Sequence, residues 1–420
     1  MKRIIIIILM IFLLAGCGNK VDESEAFTVD EDLKISDMEA IINEYYIFGT
    51  HLNIIGELNM ADDLVYDNIK LVIFHDKDIE YDLITERHDN KLYFKISDLK
   101  NTGIYLDNFE VGQYIFLLKV TINDEALYYK LKNNTNYDNI KYTTITKENT
   151  NKKLFFSSDN SYGSFGFTVN ETISTDYDIV IDAGHGGKDC GASYNGNSET
   201  DFTLTLAKKL KQKFDSYGLK VKLTRDDNTL TDDDLLPTYG PGGRVTTVNE
   251  SRAKYAFSFH LNSGYSNDLN GIEVYTANNI DYTLARSIAA NVVAEAGTNY
   301  SDNNSYKQEN GVYTRTFKQS EIDSFAKELK DKGLNPYSIN FNTVYYYFIR
   351  ETGGYINGAY IDGREGDNII NNYYNSNVGR ESYIMEIGYI TYDKDVENVR
   401  NNSDKYIDAI YQAIINNIYN

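Results

Sequence analysis

The sequence predicts an α/β domain, in which helices flank a mixed sheet, preceded by a smaller β-sandwich domain. Residues 177–420 alternate apolar strand-like runs with segments of helical periodicity, which is typical of α/β domains. Residues 38–147 instead contain short alternating runs separated by Asp- and Asn-rich turns, which is typical of β-sandwiches. A stretch rich in Asn, Ser and Lys at residues 148–176 is expected to link the two domains.

The first residues indicate export. A basic start precedes an unbroken apolar run over residues 4–15, which is about half as long as a membrane-spanning helix and is typical of a signal peptide. Residues 14–17 (LAGC) resemble the lipobox of bacterial lipoproteins. That resemblance implies a signal peptide over residues 1–16, a lipid on Cys17 that anchors the protein in the membrane, and a tether over residues 17–37. An ordinary signal peptide or an N-terminal anchor helix is the alternative, and each version places the remaining chain outside the cytoplasm.

Composition narrows the possible partners. The chain has 62 acidic and 41 basic residues and a formal net charge of −21, so nucleic acid is not an expected partner. Its only cysteines are Cys17 and Cys190. If Cys17 carries a lipid, no disulfide can form within the chain.

The first domain contains no pattern of catalytic residues. Apolar runs predict strands at residues 51–55, 70–74, 91–96 and 113–120. Its histidines, His51, His75 and His88, lie on different elements without ligand spacing, and we interpret them as structural or surface residues. The sequence does not indicate a role for this domain.

The second domain begins with a buried strand at residues 178–182. The helix that follows has the pattern of a capping box at Ser198 and Asp201, and Gly218 is expected to end it. Further strands are predicted at 219–224, 256–260, 271–276 and 383–387, and further helices at 244–254, 284–295, 318–332 and from Ser403. A Gly/Tyr-rich loop is expected at residues 353–360.

The candidate chemistry lies at the strand ends of the second domain. His185 follows the first strand, His260 ends the third, and Glu199 lies in the first helical turn, from which its side chain can reach the strand ends. Two imidazoles and one carboxylate with an open fourth position form the ligand set of a catalytic zinc site. Each residue also has a simpler interpretation, such as a hydrogen-bonded loop histidine or an acid that interacts with the helix dipole. The residues by themselves indicate a metallohydrolase and no more.

Four ordered stretches resemble the motifs of zinc-dependent N-acetylmuramoyl-L-alanine amidases, the amidase 3 family. They are residues 179–192 (IVIDAGHGGKDCGA), Glu199, residues 258–263 (SFHLNS) and residues 384–390 (IMEIGYI). The resemblance covers about residues 177–420. It implies a peptidoglycan hydrolase that cleaves the amide bond between the lactyl group of N-acetylmuramic acid and L-alanine of the stem peptide, using a zinc-activated water molecule.

The resemblance also assigns residues. It implies that His185, Glu199 and His260 bind one zinc ion and that Glu386 is the catalytic acid/base. Weaker candidates for contacts with the substrate or the ligands are Arg244, Arg252 and Asn262. Peptidoglycan is the implied substrate, which places the enzyme at the cell wall.

Two features depart from the family pattern. Cys190 stands where the family usually has proline, and its thiolate could compete with Glu199 for the metal. The stretch over residues 297–381 exceeds the family minimum, and it could either bind substrate or cover the site. Two other functions stay open at this point: an endopeptidase that cuts within the stem peptide, and a catalytically inactive wall-binding lipoprotein.

Overall fold

The computed structural model describes residues 33–61, 64–135, 141–145, 151–158, 160, 162–172, 176–228, 243–265, 268–331, 339–353 and 378–419. The expected signal peptide, Cys17, most of the tether and most of the predicted loop at 353–360 lie outside these residues. No helix in the described part of the chain combines the length and the apolar character needed to cross a bilayer.

Twelve strands in the described part of the first half of the chain form one connected sheet. They are β1 (Ile35–Phe48), β2 (His51–Asn59), β3 (Asn68–Phe74), β4 (Ile79–Asp82), β5 (Ile84–His88), β6 (Lys91–Lys95), β7 (Ile104–Tyr105), β8 (Gly112–Ile122), β9 (Glu125–Asn133), β10 (Lys141–Ile145), β11 (Asn151–Ser157) and β12 (Gly166–Thr172). The main order is β10-β11-β12-β8-β9-β1-β2-β6-β5, with β3, β4 and β7 branching from it. The four predicted strands lie in β2, β3, β6 and β8, whereas the arrangement in two stacked layers stays a prediction.

The stretch predicted to link the domains contains two strands of this sheet. β11 pairs with β12, and β12 pairs with β8, all antiparallel. Leu154 and Phe156 on β11, and Phe167 and Val169 on β12, are buried in the core of the first domain. Apolar residues two positions apart put one face of a strand into the core, and the Asn- and Lys-rich residues between them concealed this pattern. The expected tether is also shorter than predicted, since β1 begins at Ile35.

The second half of the chain forms a seven-stranded mixed sheet. Its strands are β13 (Ile179–Ala183), β16 (Val221–Leu223), β17 (Tyr255–Asn262), β18 (Glu273–Tyr275), β19 (Lys307–Glu309), β20 (Val312–Tyr313) and β22 (Glu381–Tyr389), in the order β16-β13-β17-β22-β18-β20-β19. The four strands β16, β13, β17 and β22 are parallel, and β18 is antiparallel to β22. A separate hairpin consists of β14 (Ser193–Tyr194) and β15 (Asn197–Ser198), and β21 (Val378–Gly379) pairs with β1 of the first domain.

Helices cover both faces of this sheet. They are α1 (Glu199–Tyr217), α2 (Arg244–Ser251), α3 (Thr283–Ala296), α4 (Gln319–Asp331), α5 (Tyr347–Thr352) and α6 (Asp393–Ile414), and a π-helical turn at Ile415–Tyr419 follows α6. One face buries Phe214 of α1, Ile288 of α3 and Ile410 of α6. The other buries Val248 of α2 and Phe348 of α5. This is the mixed-sheet α/β fold that the sequence predicted.

Two helix starts differ from the predictions. The last helix begins at Asp393 and continues past Ser403, with a break in helical geometry at Asn402. Ser198 precedes α1, but its hydroxyl donates to the carbonyl of Cys190 and makes no capping bond. Backbone carbonyls of Ala192 and Cys190 accept the first two N–H groups of α1 at 3.0 and 3.4 Å. The predicted capping box is therefore wrong, and carbonyls just before β14 accept these donors instead.

The first domain packs against the amino ends of the parallel strands. Thr50 Oγ1 lies 2.9 Å from the hydroxyl of Tyr255, the first residue of β17. Asn101 donates to Glu381, the first residue of β22, at 2.9 Å. The carboxyl ends of the same strands lie at the opposite edge of the sheet, and the candidate site lies there.

Candidate metal centre

Three strands each place a polar side chain at the carboxyl edge of the second sheet. His185 lies just after β13, His260 lies near the end of β17, and Glu386 lies in the second half of β22. Ala183 pairs with Phe259, and His260 pairs with Glu386, both in parallel register. The register of the sheet therefore brings residues that are distant in sequence to one place.

Glu199 completes the cluster from the first turn of α1. Its Oε1 lies 3.1 Å from Nε2 of His185 and 3.0 Å from Nδ1 of His260. The backbone N–H groups of Leu261 and Ala192 donate to its two oxygens, at 3.0 and 2.9 Å. One atom from each of His185, Glu199 and His260 lies within 4.8 Å of the other two. These three residues form a group that could hold a metal ion.

The charges in the cluster depend on one another. Burial by itself would raise the pKa of Glu199, but hydrogen bonds with His185 and His260 outweigh this effect and hold its pKa well below the ordinary value. Burial would lower the pKa of His185, but the hydrogen bonds and charges of Glu199 and Asp189 raise it overall. Glu199 is therefore an anion at neutral pH, as a metal ligand must be.

A second carboxylate orients the ring of His185. Asp189 Oδ2 lies 2.8 Å from Nδ1 of His185, and its Oδ1 accepts a hydrogen bond from the N–H of Gly191 at 3.0 Å. Because Nδ1 faces Asp189, Nε2 faces Glu199. A carboxylate on the far nitrogen is the usual device that fixes the ring of a ligating histidine. The backbone of His185 also has φ of 61°, which a residue with a side chain rarely adopts.

Glu386 is buried beside this cluster without a partner for one of its oxygens. The residue is 9% exposed, and its Oε2 has no hydrogen-bond partner among the described residues. Burial above all, and then the charges of Glu199 and Glu273, raise the pKa of Glu386 well above its ordinary value. A buried carboxyl group with a perturbed pKa and no competing bond at this oxygen is suited to general acid/base chemistry.

The residues of the cluster fit a zinc ion. The donors are two imidazoles and one carboxylate, which is a common set in catalytic zinc sites. Two glycines leave room for them, since a Cβ on Gly184 would lie 2.5 Å from Nε2 of His260, and one on Gly191 would lie 2.6 Å from Oε2 of Glu199. A cation here would also lower the pKa of the unpaired Glu386 carboxyl. Cys190 is exposed and is not part of the cluster that the described residues form.

The structure separates the three weaker candidates. Arg244 is buried next to the cluster, where it pairs with Asp182 at 2.5 Å and donates to the carbonyls of Ala183 and His185. Asn262 follows His260 by two residues and donates to Glu273 at 2.9 Å.

Arg252 is not brought to the site. It is exposed and ends α2 with φ of 55°. Its neighbour Ser251 accepts the N–H of Tyr177, which precedes β13, so Arg252 lies toward the amino edge of the sheet. The helix that places Arg244 at one edge therefore carries Arg252 to the other.

Sequence reasoning missed three residues around the site. Asp189 lies within the first motif, at residues 179–192, but was not predicted to have a role. A carboxylate four residues after the candidate ligand His185 was a usable signal for it. Glu273 pairs with Glu386 across the sheet and accepts from Asn262, Tyr275, Ser301 and Tyr389. A glutamate within an apolar strand was the available signal for it. Arg225 is the third, and nothing in the local sequence indicated its contacts.

The fold and the site define an α/β protein with a candidate metal centre at the carboxyl ends of its parallel strands. Residues 179–330 match the family Amidase_3, described as N-acetylmuramoyl-L-alanine amidase. This part of the chain therefore matches the family that the motifs predicted.

Individual relatives match shorter stretches. The chain is 39% identical over 86 residues to an endolysin of Bacillus phage SPP1, covering 20% of this chain and 29% of the endolysin. It is 33% identical over 118 residues to the probable cell wall amidase LytH of Staphylococcus aureus, covering 27% of this chain and 36% of LytH. The chain thus spans only about a third of the length of these two relatives. Among solved structures, the amidase AmiC2 of Nostoc punctiforme is 21% identical, with a TM-score of 0.37, covering 58% of this chain and 97% of AmiC2.

Proposed function

We propose that this protein is a zinc-dependent N-acetylmuramoyl-L-alanine amidase that hydrolyses peptidoglycan outside the cell. The single observation that carries the proposal is the cluster of His185, Glu199 and His260, which lies inside the segment that matches this family. Next to the cluster is the buried carboxyl of Glu386, whose Oε2 has no partner among the described residues. The bond cleaved would be the amide between the lactyl group of N-acetylmuramic acid and L-alanine.

His185, Glu199 and His260 would hold the zinc ion. Its Lewis acidity would polarise the amide carbonyl and lower the pKa of water. Asp189 keeps the ring of His185 in the ligating orientation, and the backbone N–H groups of Leu261 and Ala192 do the same for the carboxylate of Glu199. The ligands therefore need little rearrangement to bind the ion.

Glu386 would carry the proton of the reaction. Its Oε2 accepts a proton from the attacking water molecule, and the hydroxyl becomes bonded to the lactyl carbonyl carbon. The same oxygen then donates the proton to the nitrogen of L-alanine as the C–N bond breaks. Water is thus added across one amide bond, which leaves a lactyl carboxylate and a free amine. Burial raises the pKa of Glu386, whereas a bound cation would lower it, and both effects act on the group that must accept and then return the proton.

The decisive experiment identifies the bond that breaks in purified peptidoglycan. Digested material is labelled at its free amines, and the labelled residue is identified after acid hydrolysis. We expect new amines on L-alanine and no new reducing sugar. The Glu386→Gln variant, with its zinc content measured in parallel, serves as the control for contaminating hydrolases.

The same labelling tests the two other functions. New amines only on residues further along the peptide would identify a stem-peptide endopeptidase and contradict the amidase proposal. Binding to peptidoglycan without any new amine, by protein that contains zinc, would identify an inactive wall-binding protein. Glu386 is buried next to the three candidate ligands, and its Oε2 has no partner in the part of the chain that the structure describes, which favours the amidase over an inactive wall-binding protein.

We further propose that the protein is a lipoprotein anchored through Cys17. The apolar run over residues 4–15 and the lipobox-like residues 14–17 support this. The full chain should enter the detergent phase and incorporate labelled fatty acid, and Cys17→Ala should prevent both. A Cys17→Ala protein that stays in the membrane through an uncleaved helix would contradict the lipid anchor.

We also propose that the first domain, extended to β12, is a β-sandwich that serves as a spacer. It contacts the amino edge of the α/β sheet through Thr50 and Asn101. The candidate site, at the opposite edge, is then free to face the wall polymer. The Glu386→Gln variant should still attach to membranes although it no longer hydrolyses peptidoglycan. This result would show that membrane anchoring does not depend on turnover.

A further inference from the structure

We propose that Arg225 is a positioning residue that holds the His185 loop against the start of α1 and thereby sets the affinity of the site for zinc. The inference rests on the proposed zinc site but concerns a residue that neither the motifs nor the ligand cluster includes. Arg225 lies just after β16, and it is only 5% exposed.

The guanidinium of Arg225 bonds to the neighbours of two candidate ligands at once. Its Nε donates to the carbonyl of Ala183 at 2.8 Å, and its Nη2 donates to the carbonyl of Gly184 at 3.0 Å. Nη2 also reaches the carbonyl of Thr200 at 3.1 Å. Gly184 precedes His185, and Thr200 follows Glu199. One rigid side chain thus joins the backbone segments that carry these two residues.

Thr203 strengthens the same connection. Its hydroxyl donates to the carbonyl of Gly184 at 2.7 Å and accepts from Nη2 of Arg225 at 3.0 Å. Because Thr203 lies on α1, it forms a second bridge between the helix and the His185 loop. The spacing of 3.1 Å between His185 Nε2 and Glu199 Oε1 depends on the relative position of these two segments.

The way in which Arg225 is buried distinguishes it from Arg244. Arg244 forms a buried ion pair with Asp182. Among the described residues, the hydrogen-bond acceptors of Arg225 are carbonyl, hydroxyl and amide oxygens, including Asp227 O and Asn228 Oδ1, and none is a carboxylate. Burying a charge without a hydrogen-bonded counter-ion is costly. The planar guanidinium can hold several carbonyls in fixed directions at once, which the ammonium group of lysine cannot do.

Zinc affinity is the quantity that this arrangement should control. Residues that orient ligands without touching the metal typically change metal affinity by about 10–100-fold when they are removed. We expect Arg225→Met to weaken zinc binding by an amount in this range. Arg225→Lys keeps the charge but loses the fork, so it should restore affinity only in part.

The second sheet offers a matched control at its other edge. Arg380 is also buried and donates to backbone carbonyls, those of Ala253, Val378 and Asn249. It lies next to Glu381, at the amino end of β22. Arg380→Met should therefore lower the stability of the fold in a similar way but leave zinc affinity unchanged.

The experiment is a competition titration of Zn²⁺ between the full chain and a chromophoric chelator. Wild type, Arg225→Met, Arg225→Lys and Arg380→Met are compared, and circular dichroism confirms that each is folded. Co²⁺ loaded in place of Zn²⁺ gives a visible spectrum that reports the ligand geometry directly. A weakened affinity and an altered Co²⁺ spectrum in the Arg225 variants, with wild-type values for Arg380→Met, would support the proposal.

Two results would contradict the proposed role of Arg225, and each points to a different error. Equal zinc affinity in wild type and Arg225→Met would contradict the role of Arg225 while leaving the zinc site intact. A wild-type chain that binds no Zn²⁺ would contradict the proposed site itself. If Arg225→Met does not fold, Thr203→Val removes the second bridge with little change in volume. That variant should weaken zinc binding in the same direction, and unchanged affinity there would equally contradict the proposal.

Discussion

Strand β22 carries a buried glutamate toward each end, and the two sites differ in how these carboxyl groups are satisfied. Glu381, at the amino end, accepts hydrogen bonds from Asn101 of the first domain and from Tyr383. Glu386, toward the carboxyl end, has an oxygen with no partner among the described residues. Burial raises the pKa of both, to about 7 for Glu381 and well above the ordinary value for Glu386.

A raised pKa by itself therefore does not identify a catalytic group. Glu381 is held by a packed interface between two domains, so its carboxyl contributes to the docking of the domains. Glu386 lies beside a group of possible metal ligands, and its oxygen is available for a proton and a substrate. Hydrogen-bond satisfaction, more than the pKa, separates the structural carboxyl from the candidate catalytic one.

The largest expected effect is on turnover. Glu386→Gln removes the proton carrier and should reduce the rate of amide hydrolysis by about 10²–10⁴-fold, while zinc content and fold are retained. Glu381→Gln keeps an amide oxygen that can accept from Asn101 and Tyr383, and its rate should stay within about threefold of wild type. Release of labelled L-alanine amines from peptidoglycan measures both rates.

Measuring both glutamate variants shows which part of this interpretation is wrong if the rates differ from those expected. If Glu386→Gln retains the wild-type rate, the acid/base assignment is wrong. If both variants lose the same large factor, the comparison between the two ends of β22 fails. In that case the amino edge would influence the chemistry at the carboxyl edge.

The next effect concerns stability at the amino edge. Lys254 and Asp107 form an ion pair across the domain interface at 2.5 Å, and the side chain of Lys254 is almost fully buried. Breaking a buried pair by removing one partner costs about 3–5 kcal/mol, so Lys254→Met should lower the free energy of unfolding by about that amount. Urea denaturation measures this difference.

An exposed ion pair provides the control. Lys209 and Asp404 lie 2.7 Å apart between α1 and α6, but the Asp404 side chain is mostly exposed. Lys209→Met should cost less than about 1 kcal/mol. Equal costs for the two lysine variants would mean that the Lys254–Asp107 pair does not contribute as a buried ion pair.

The sequence was sufficient to predict the carboxyl edge of the sheet. The strands that end there are apolar runs that can be recognised locally, and His185, His260 and Glu386 stand at or near their ends. The family motifs then related these residues to Glu199. Parallel register, which follows from the fold class, brings them together without any further information.

The end of the first domain, its docking on the second and several contacts around the site were much harder to predict. The strands at residues 151–157 and 166–172 are interrupted by Asn, Lys and Thr, so their alternate buried residues gave a weak signal. The contacts of Arg225 and the docking of Asn101 on Glu381 depend on residues that are distant in sequence. The predicted cap of α1 was wrong because the carbonyls of Ala192 and Cys190, just before β14, accept the first two N–H groups and Ser198 bonds to Cys190 instead.

A third prediction uses the pH dependence of stability. The pKa of Glu381 rises from 4.5 to about 7 on folding, chiefly through burial. A raised carboxyl pKa contributes stability that is fully present below about pH 4.5 and is lost as the pH rises to about 7. At about 1.4 kcal/mol per pH unit, the loss amounts to about 3 kcal/mol. Glu381→Gln cannot lose a proton, so its stability relative to wild type should increase by about this amount between pH 4.5 and pH 8.

Chemical denaturation of both proteins across this range measures the relative stability. Taking the difference cancels the contributions of other groups at the same edge, such as Asp178, whose pKa burial raises to about 6. A difference that does not change with pH would mean that folding leaves the pKa of Glu381 at its ordinary value.

The smallest expected effect concerns Cys190, at the same edge as the candidate metal ligands. Its side chain is exposed, and its thiol contacts the carbonyl of Gly191 and the hydroxyl of Ser193. Glu199, in contrast, is buried and already bonded to both histidines. Cys190→Ala should therefore leave zinc affinity within about twofold of wild type and stability within about 0.5 kcal/mol, as for most exposed substitutions.

Competition titration with Zn²⁺ measures the zinc affinity, and Glu199→Ala, which should lose the metal, is the comparison. Loss of zinc in Cys190→Ala together with retention in Glu199→Ala would make the thiolate the third ligand. The buried carboxylate of Glu199 would then belong with Glu381 among the structural groups.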